Sequence, residues 1–372
     1  MFKQIQHIDE VMPHFSGRAE FTIGHREGFV VIDYNYILPD TFDDPMRLEG
    51  RGIKFCSKTG KVLARPFHKF FNLTERDGSR FSDLPWDKPF VVQEKSDGSM
   101  IHPCLIDGRV VLMTRKGISD VALQAMKECE YDEEGMRYFL DMRLTPIYEY
   151  VSPNNRIVID YQKPELRLLA IRNNLSGGYG MFNVHGIRDV VALSENPSSL
   201  VENVRQAKGE EGVVLTWLAT GHKVKLKGEE YVQLHRAIDT MSSEKRILDV
   251  VLEGKDDDLC SIVAEDRAAR IREYAGAVRQ IMSNIQGTVV RWVENNSELS
   301  QKEFALKIND QNNPWRRYAP EVFKYRSGKL EAGEIGRSYI ERHVHTQREL
   351  EENRPVLGIP KLGTLVFNDK EA

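Results

Sequence analysis

No C-x-x-C pair occurs in this sequence, whose four cysteines, Cys56, Cys104, Cys129 and Cys260, stand far apart. That spacing excludes a zinc ribbon and fits reduced thiols. No apolar run approaches the roughly 18 residues needed to span a bilayer, and the opening "MFKQIQHIDEVMPHF" lacks the uninterrupted apolar stretch of a secretory signal. The expected location is the cytoplasm, without a membrane partner. An excess of positive charge is missing too, since 52 Lys and Arg face 56 Asp and Glu for a net charge of −4. Nothing global therefore attracts nucleic acid. Such contact needs a local basic patch, and residues 223–227 and 315–324 are the candidates. Internal repeats and low-complexity segments are absent.

What remains is a chain of 372 residues, 41% hydrophobic and 29% charged, a composition that suits a globular protein of about two or three domains. From about residue 20 to residue 232 it is built of short β-rich runs between turn signals, among them "GFVVIDYNYI", "KPFVVQEK", "GRVVLMTR", "PIYEYV", "LRLLAIRN" and "EGVVLTWL". A helical insert around "DVALQAMKECEYDEEGMRYFLDMRL" interrupts them. The pattern predicts an α+β domain on antiparallel sheets over residues 1–238. Beyond it, Ile271, Tyr274, Val278, Ile281, Met282, Ile285, Val289, Trp292 and Val293 recur at three- and four-residue steps. That period predicts a mostly helical domain over residues 239–372 whose apolar stripe faces its own core.

The run "VVQEKSDGSMI", Val91 to Ile101, sets Lys95 between a β-rich stretch and an Asp-Gly turn. Two readings stand. Asp-Gly between alternating apolar residues signals a type I′ hairpin, with Lys95 a solvated strand end. Alternatively, a rigid turn holds the lysine amine, a nucleophile once deprotonated, against a bound phosphate. Other polar residues also sit at strand ends: Arg51 in "LEGRGIKF", Arg65, Lys69 and Phe71 in "RPFHKFFNL", Arg115 and Lys116 in "TRKGIS", Glu149 in "YEYVSPNNRIVI", Glu211 in "GEEGVVL". In "HKVKLKGEEY" the two-residue spacing puts Lys225 and Lys227 on one strand face, with Val224 and Leu226 on the other. Two ammonium groups on one face repel unless an anion lies between them, and a nucleotide phosphate would serve.

In their order these runs resemble the ATP-dependent RNA ligase 1 family of T-even-like phages, within the covalent nucleotidyltransferase superfamily of DNA ligases, RNA ligases and mRNA capping enzymes. "EKSDGS", "YEYVSPNNRIV", "EEGVV" and "VKLKGEEYVQLH" look like its motifs I, III, IV and V; "YNY", "RGIKF" and "RPFHKFFNL" look like its N-terminal signature. The resemblance covers roughly residues 25–240. It implies that Lys95 is the adenylylated lysine and that Tyr34, Arg51, Lys69, Phe71, Lys116, Glu149, Glu211, Lys225 and Lys227 surround ATP and a divalent metal, Mg²⁺ or Mn²⁺. Glu149 and Glu211 would hold that metal, and Phe71 or Tyr34 would stack on adenine. The family's acidic pair would be Asp257 and Asp258 in "LEGKDDDL", a run that also suits a solvated turn or helix start. The implied partner is RNA with 5′-phosphate and 3′-hydroxyl ends, including tRNA broken in its anticodon loop, in a host cytoplasm if the chain is phage-encoded.

The chemistry makes its own demand. A free lysine has a pKa near 10.4, so about one in a few thousand is neutral at pH 7; neighbouring cations and a metal must disfavour its charge. Rival readings are a DNA ligase, a GTP-using capping enzyme, and a non-catalytic RNA-binding protein. The first two usually carry Arg two residues after the motif glycine, where this chain has Met100, and an OB-fold where it reads helical. His343 and His345 form an H-x-H that suits metal ligation on a strand face or plain solvation. "NNPWRRYAPEVFKY" suits either RNA stacking or an amphipathic core segment.

Overall fold

The computed structural model describes residues 2–180, 184–191 and 196–362. The chain divides into two compact units, Met1–Val232 and Gln233–Ala372. The first is α+β with antiparallel sheets and the second is helical, the class expected from the alternating and three-to-four-residue patterns. No helix among the described residues is long and apolar enough to cross a membrane. All four cysteines are free thiols.

The first unit starts with a short helix, α1 (Met12–Phe15), and a four-stranded antiparallel sheet in the order β1 (Phe21–Arg26), β2 (Phe29–Tyr34), β3 (Arg51–Cys56), β4 (Val62–Ala64). The chain then lays down β5 (Phe71–Asn72) and β6 (Phe90–Glu94), whose sheet is completed much later by β12 (Ile187–Val191), β13 (Gly212–Trp217) and β14 (His222–Lys227). Its order is β12-β6-β13-β14-β5, with β5 parallel to β14. In between, β7 (Ser99–Ile106), β8 (Arg109–Met113), β9 (Leu144–Val151), β10 (Glu165–Asn173) and β11 (Tyr179–Gly180) form another antiparallel sheet, ordered β11-β10-β9-β7-β8.

The helical insert resolves into α2 (Asp120–Glu128) and α3 (Glu133–Asp141). Ser119 caps α2 and Asp132 caps α3, each side chain accepting a backbone N–H of the first turn. Ala122, Ala125, Met136 and Leu140 turn inward, onto Ile101, Leu112 and Tyr150. On the other sheet, period-two alternation sends Phe90, Val92, Val213, Leu215, Val224 and Leu226 to one core, covered by Val201 and Val204 of α4 (Pro197–Gln206). The opposite face, bearing Gln93, Val214 and Lys225 in one cross-strand row, is left for chemistry.

Beyond α5 (Glu229–Met241), the second unit holds α6 (Glu244–Leu252), α7 (Asp256–Ser261), α8 (Glu265–Glu294), α9 (Gln301–Asn309), α10 (Ala319–Arg326), α11 (Ile335–His343) and α12 (Gln347–Leu357). The 30-residue α8 is its axis, and Ile271, Tyr274, Val278, Ile285, Val289 and Trp292 are buried along one stripe as the spacing predicts. The run after Trp315 divides: Tyr318 and Phe323 join this core, while Trp315, Arg316, Arg317 and Lys324 stay exposed. His343 ends α11 rather than lying on a strand, its ring against the Tyr339 carbonyl and ring.

Candidate active site

The hairpin expected at Asp97-Gly98 does not form, because β6 and β7 belong to different sheets. The backbone N–H of Lys95 donates to the Gly212 carbonyl at 2.9 Å, prolonging the β6–β13 ladder by one residue. The chain then crosses to the neighbouring sheet, where Ser99 pairs with Tyr150. Gly98 is needed here for close approach rather than for a left-handed conformation: a Cβ on it would lie 2.2 Å from the Tyr150 carbonyl oxygen. Asp97 anchors the crossing. Its Oδ2 accepts from the N–H groups of Val158 (2.7 Å) and Ile159 (2.8 Å), and its Oδ1 from the Tyr231 hydroxyl (2.7 Å). Lys95 is thus held at the junction of two sheets.

Between those sheets lies a cavity of about 220 Å³. Lys95, Gln93, Val214, Lys223 and Lys225 line it from one sheet, Met100, Glu149 and Leu169 from the other, and Arg51, Phe67 and Phe70 close it. Lys95 Nζ sits 2.6 Å from Glu211 Oε2, and Lys227 Nζ sits 2.9 Å from Glu211 Oε1. Glu211 itself is 3% exposed. Both of its oxygens are therefore committed to lysines.

The remaining charges are crowded and poorly hydrated. Burial brings Lys225 down to about 7, with help from Arg51, Lys69 and Lys95, and its ammonium lies 4.9 Å over the Phe70 ring. Burial lowers Lys223 to about 7 as well, and it lowers Arg51. Glu149 is pushed up to about 7 by burial; Glu211 and Asp97 add to the rise, and Lys95 and Arg51 oppose it. Among the described residues Glu149 has no ion pair, and no group of three His, Cys, Asp or Glu is placed to hold a metal.

Of the residues singled out in the sequence, Lys95, Arg51, Glu149 and Lys225 meet on the cavity, with Glu211 and Lys227 behind Lys95. Tyr34, Lys69 and Phe71 form a neighbouring cluster: Lys69 Nζ lies 5.4 Å from the Tyr34 ring centroid and 5.0 Å from that of Phe71. Both rings pack on the core of the first sheet, so the aromatic walls of the cavity are Phe67 and Phe70 instead. Lys116 is exposed on the Thr114–Gly117 turn. Its neighbour Arg115 lies 4.3 Å over Tyr34 and pairs with Asp33 at 3.2 Å. Asp257 and Asp258 are exposed in the first turn of α7, in the second unit, while Asp256 is buried against Arg279. Gln93 and Lys223 were missed as cavity residues, although their period-two spacing from Lys95 and Lys225 was available. Lys223 is 2% exposed, so it is part of the cavity floor and not of a surface patch.

Residues 49–231 match the family model described as RNA ligase. The chain is 29% identical over 325 residues to a Thermovibrio ammonificans protein provisionally named RNA ligase, covering 82% of this chain and 84% of that one. It is 28% identical over 338 residues to the RNA ligase 1 of bacteriophage TS2126, covering 84% and 83%. An archaeal ATP-dependent RNA ligase structure aligns at 14% identity with a TM-score of 0.45, over 74% of this chain and 79% of that one.

Proposed function

We propose that this chain, whose residues 49–231 match the RNA ligase family model, is an ATP-dependent RNA ligase joining 5′-phosphate to 3′-hydroxyl RNA ends through a lysyl-AMP at Lys95. The observation that carries this reading is the placement of the Lys95 amine. It is fixed 2.6 Å from Glu211 at the edge of a cavity that two further cations, Arg51 and Lys225, also line. Such a cavity suits a polyphosphate, and its apolar walls suit a base.

In the first step the neutral Lys95 amine attacks the α-phosphorus of ATP in line; an N–P bond forms and the P–O bond to pyrophosphate breaks. Glu211 is the nearest acceptor for the proton that Nζ gives up. Lys225 and Arg51 face the cavity and offset charge on the phosphoryl oxygens, which is where fixed cations lower a phosphoryl-transfer barrier. An RNA 5′-phosphate oxygen next attacks the same phosphorus, the N–P bond breaks and the lysine is restored. Finally a 3′-hydroxyl attacks the RNA 5′-phosphorus and AMP departs. A divalent cation would be held by Glu149, whose carboxyl has no competing ion pair among the described residues, together with nucleotide oxygens; it would supply further charge neutralisation. Glu211, engaged by two lysines, fits that role less well.

The test is the intact mass of full-length protein, stripped with pyrophosphate and then given ATP and Mg²⁺, for wild type and Lys95→Ala. One added AMP, reversed by pyrophosphate and missing from the variant, is expected. Protein that stays at its polypeptide mass overturns the reading, and a GMP adduct formed in preference moves it to the capping class. Resemblance alone supports broken tRNA as substrate, so a nicked anticodon stem-loop is to be ligated beside a linear RNA.

A further inference from the structure

Two groups on the cavity floor have no part in moving the nucleotidyl group. Lys223 donates to Thr216 Oγ1 at 2.8 Å and lies over the rings of Tyr179 (4.7 Å) and Phe67 (5.2 Å). No carboxylate pairs with it among the described residues. An ammonium has three donors, and a buried one left short of acceptors is unfavourable. Lys223 lines the cavity, as does Phe67, one of the two rings it lies over.

Gln93 is the second group, 3% exposed. Its amide nitrogen donates to the carbonyls of Leu169 (3.1 Å) and His185 (2.8 Å). Carbonyls only accept, so this orientation is forced and Gln93 Oε1 is left as an acceptor. Gln93 pairs with Val214, and Thr216 pairs with Lys223, so both groups rise from one sheet face on either side of β13.

We propose that Lys223 and Gln93 read the base of the bound nucleotide, Lys223 donating to a ring nitrogen and Gln93 Oε1 accepting from the exocyclic amine beside it. The proposal rests on reading the cavity as the ATP site. Adenine presents that pair on one edge, a 6-amino donor next to the N1 acceptor. Guanine and uracil present the reverse, a carbonyl beside an N–H, which would set donor against Lys223 and acceptor against Gln93. Both buried groups would then be unpaired, the circumstance in which polar sites discriminate strongly. Cytosine carries the adenine pattern on a smaller ring, so size distinguishes CTP.

The experiment follows nucleotidylation of Lys95 in the full-length protein by intact mass. The probes are ATP, 1-deazaadenosine 5′-triphosphate, which lacks the N1 acceptor, and purine riboside 5′-triphosphate, which lacks the amine. Wild type is expected to use ATP about 10- to 100-fold better, in kcat/KM, than either analogue. Lys223→Met should lose that factor on ATP and nothing further on the 1-deaza analogue, yet still discriminate against purine riboside. Gln93→Met should show the mirror pattern. Equal slowing of ATP and the 1-deaza analogue in Lys223→Met makes Lys223 structural and overturns the proposal. So does equal use of all three probes by wild type, a result that needs no variant to fold. Wild type that takes no AMP from ATP fails the ligase reading first, and this one with it.

Discussion

Glu149 stands on β9 with its carboxyl in the cavity wall, and burial raises its pKa from 4.5 to about 7. Between those two values the folded chain keeps a proton that the unfolded chain has released, so stability falls as pH rises through the window. The rise of about 2.5 in pKa, at about 1.4 kcal/mol for each, corresponds to about 3.5 kcal/mol, of which about 3 kcal/mol is lost between pH 4.5 and pH 7.5. Glu149→Gln removes the titration and leaves the other groups in place, including Lys54, Lys223 and Lys225, whose lowered pKa values act in the opposite sense. The assay is urea unfolding at pH 4.5 and pH 7.5. The first unit is read through Trp86 and Trp217 after Trp292 and Trp315 in the second are replaced by phenylalanine. From the lower to the higher pH, wild type should lose about 3 kcal/mol more than Glu149→Gln. A difference under about 1 kcal/mol would show that this carboxylate is not penalised by its surroundings, and would remove the argument that it awaits a cation.

Two further perturbations test the scaffold. Glu49 accepts from Arg65 (3.1 and 2.7 Å) and from Arg172 (2.9 and 2.8 Å), and both guanidinium groups are 0% exposed. Glu49→Gln leaves two buried cations without their anion and should cost about 3–5 kcal/mol in the same urea assay; a loss under 1 kcal/mol would refute the pairing. Gly98→Ala forces a methyl to within 2.2 Å of the Tyr150 carbonyl and must shift the crossing that carries Lys95. Initial rates of AMP transfer, read by intact mass, should fall about 100-fold with the fold retained, whereas an unchanged rate would mean that the crossing tolerates displacement.

Local periodicity carried much of the fold. Alternation in "EGVVLTWL" and "HKVKLK" gave the paired strands β13 and β14 and put Lys225 and Lys227 on one face. The stripe from Ile271 to Trp292 gave α8. Non-local pairing defeated the same reasoning elsewhere. Asp-Gly is a strong hairpin signal over four residues, yet Lys95 bonds to Gly212, far along the chain, and no local pattern reports that. Among the rings of "RPFHKFFNL", only the two-residue parallel pairing of β5 with β14 decides that Phe67 and Phe70 face the cavity while Phe71 turns to another core. Burial of Lys223 was illegible for the same reason, because it depends on Tyr179 and Phe67 closing over it.

The three lysines of β14 share one strand face and differ in everything else. Lys227 is paired with Glu211, Lys223 is sunk against Thr216 and two rings, and Lys225 stands between them without a carboxylate partner among the described residues, crowded by Arg51, Lys69 and Lys95. Crowding and burial are costs only while the cavity lacks an anion. A phosphate beside Lys225 supplies the missing opposite charge and stabilises its charged form, which draws in a proton near pH 7. A cation at Glu149 does the reverse and expels one. Lys225 and Glu149 both titrate near 7, on opposite walls of the same cavity, so binding nucleotide and metal together would relieve both strains with little net exchange of protons. Each ligand would thus relieve the cost of holding its own group poorly hydrated, and near pH 7 the proton that one draws in would offset the proton that the other expels.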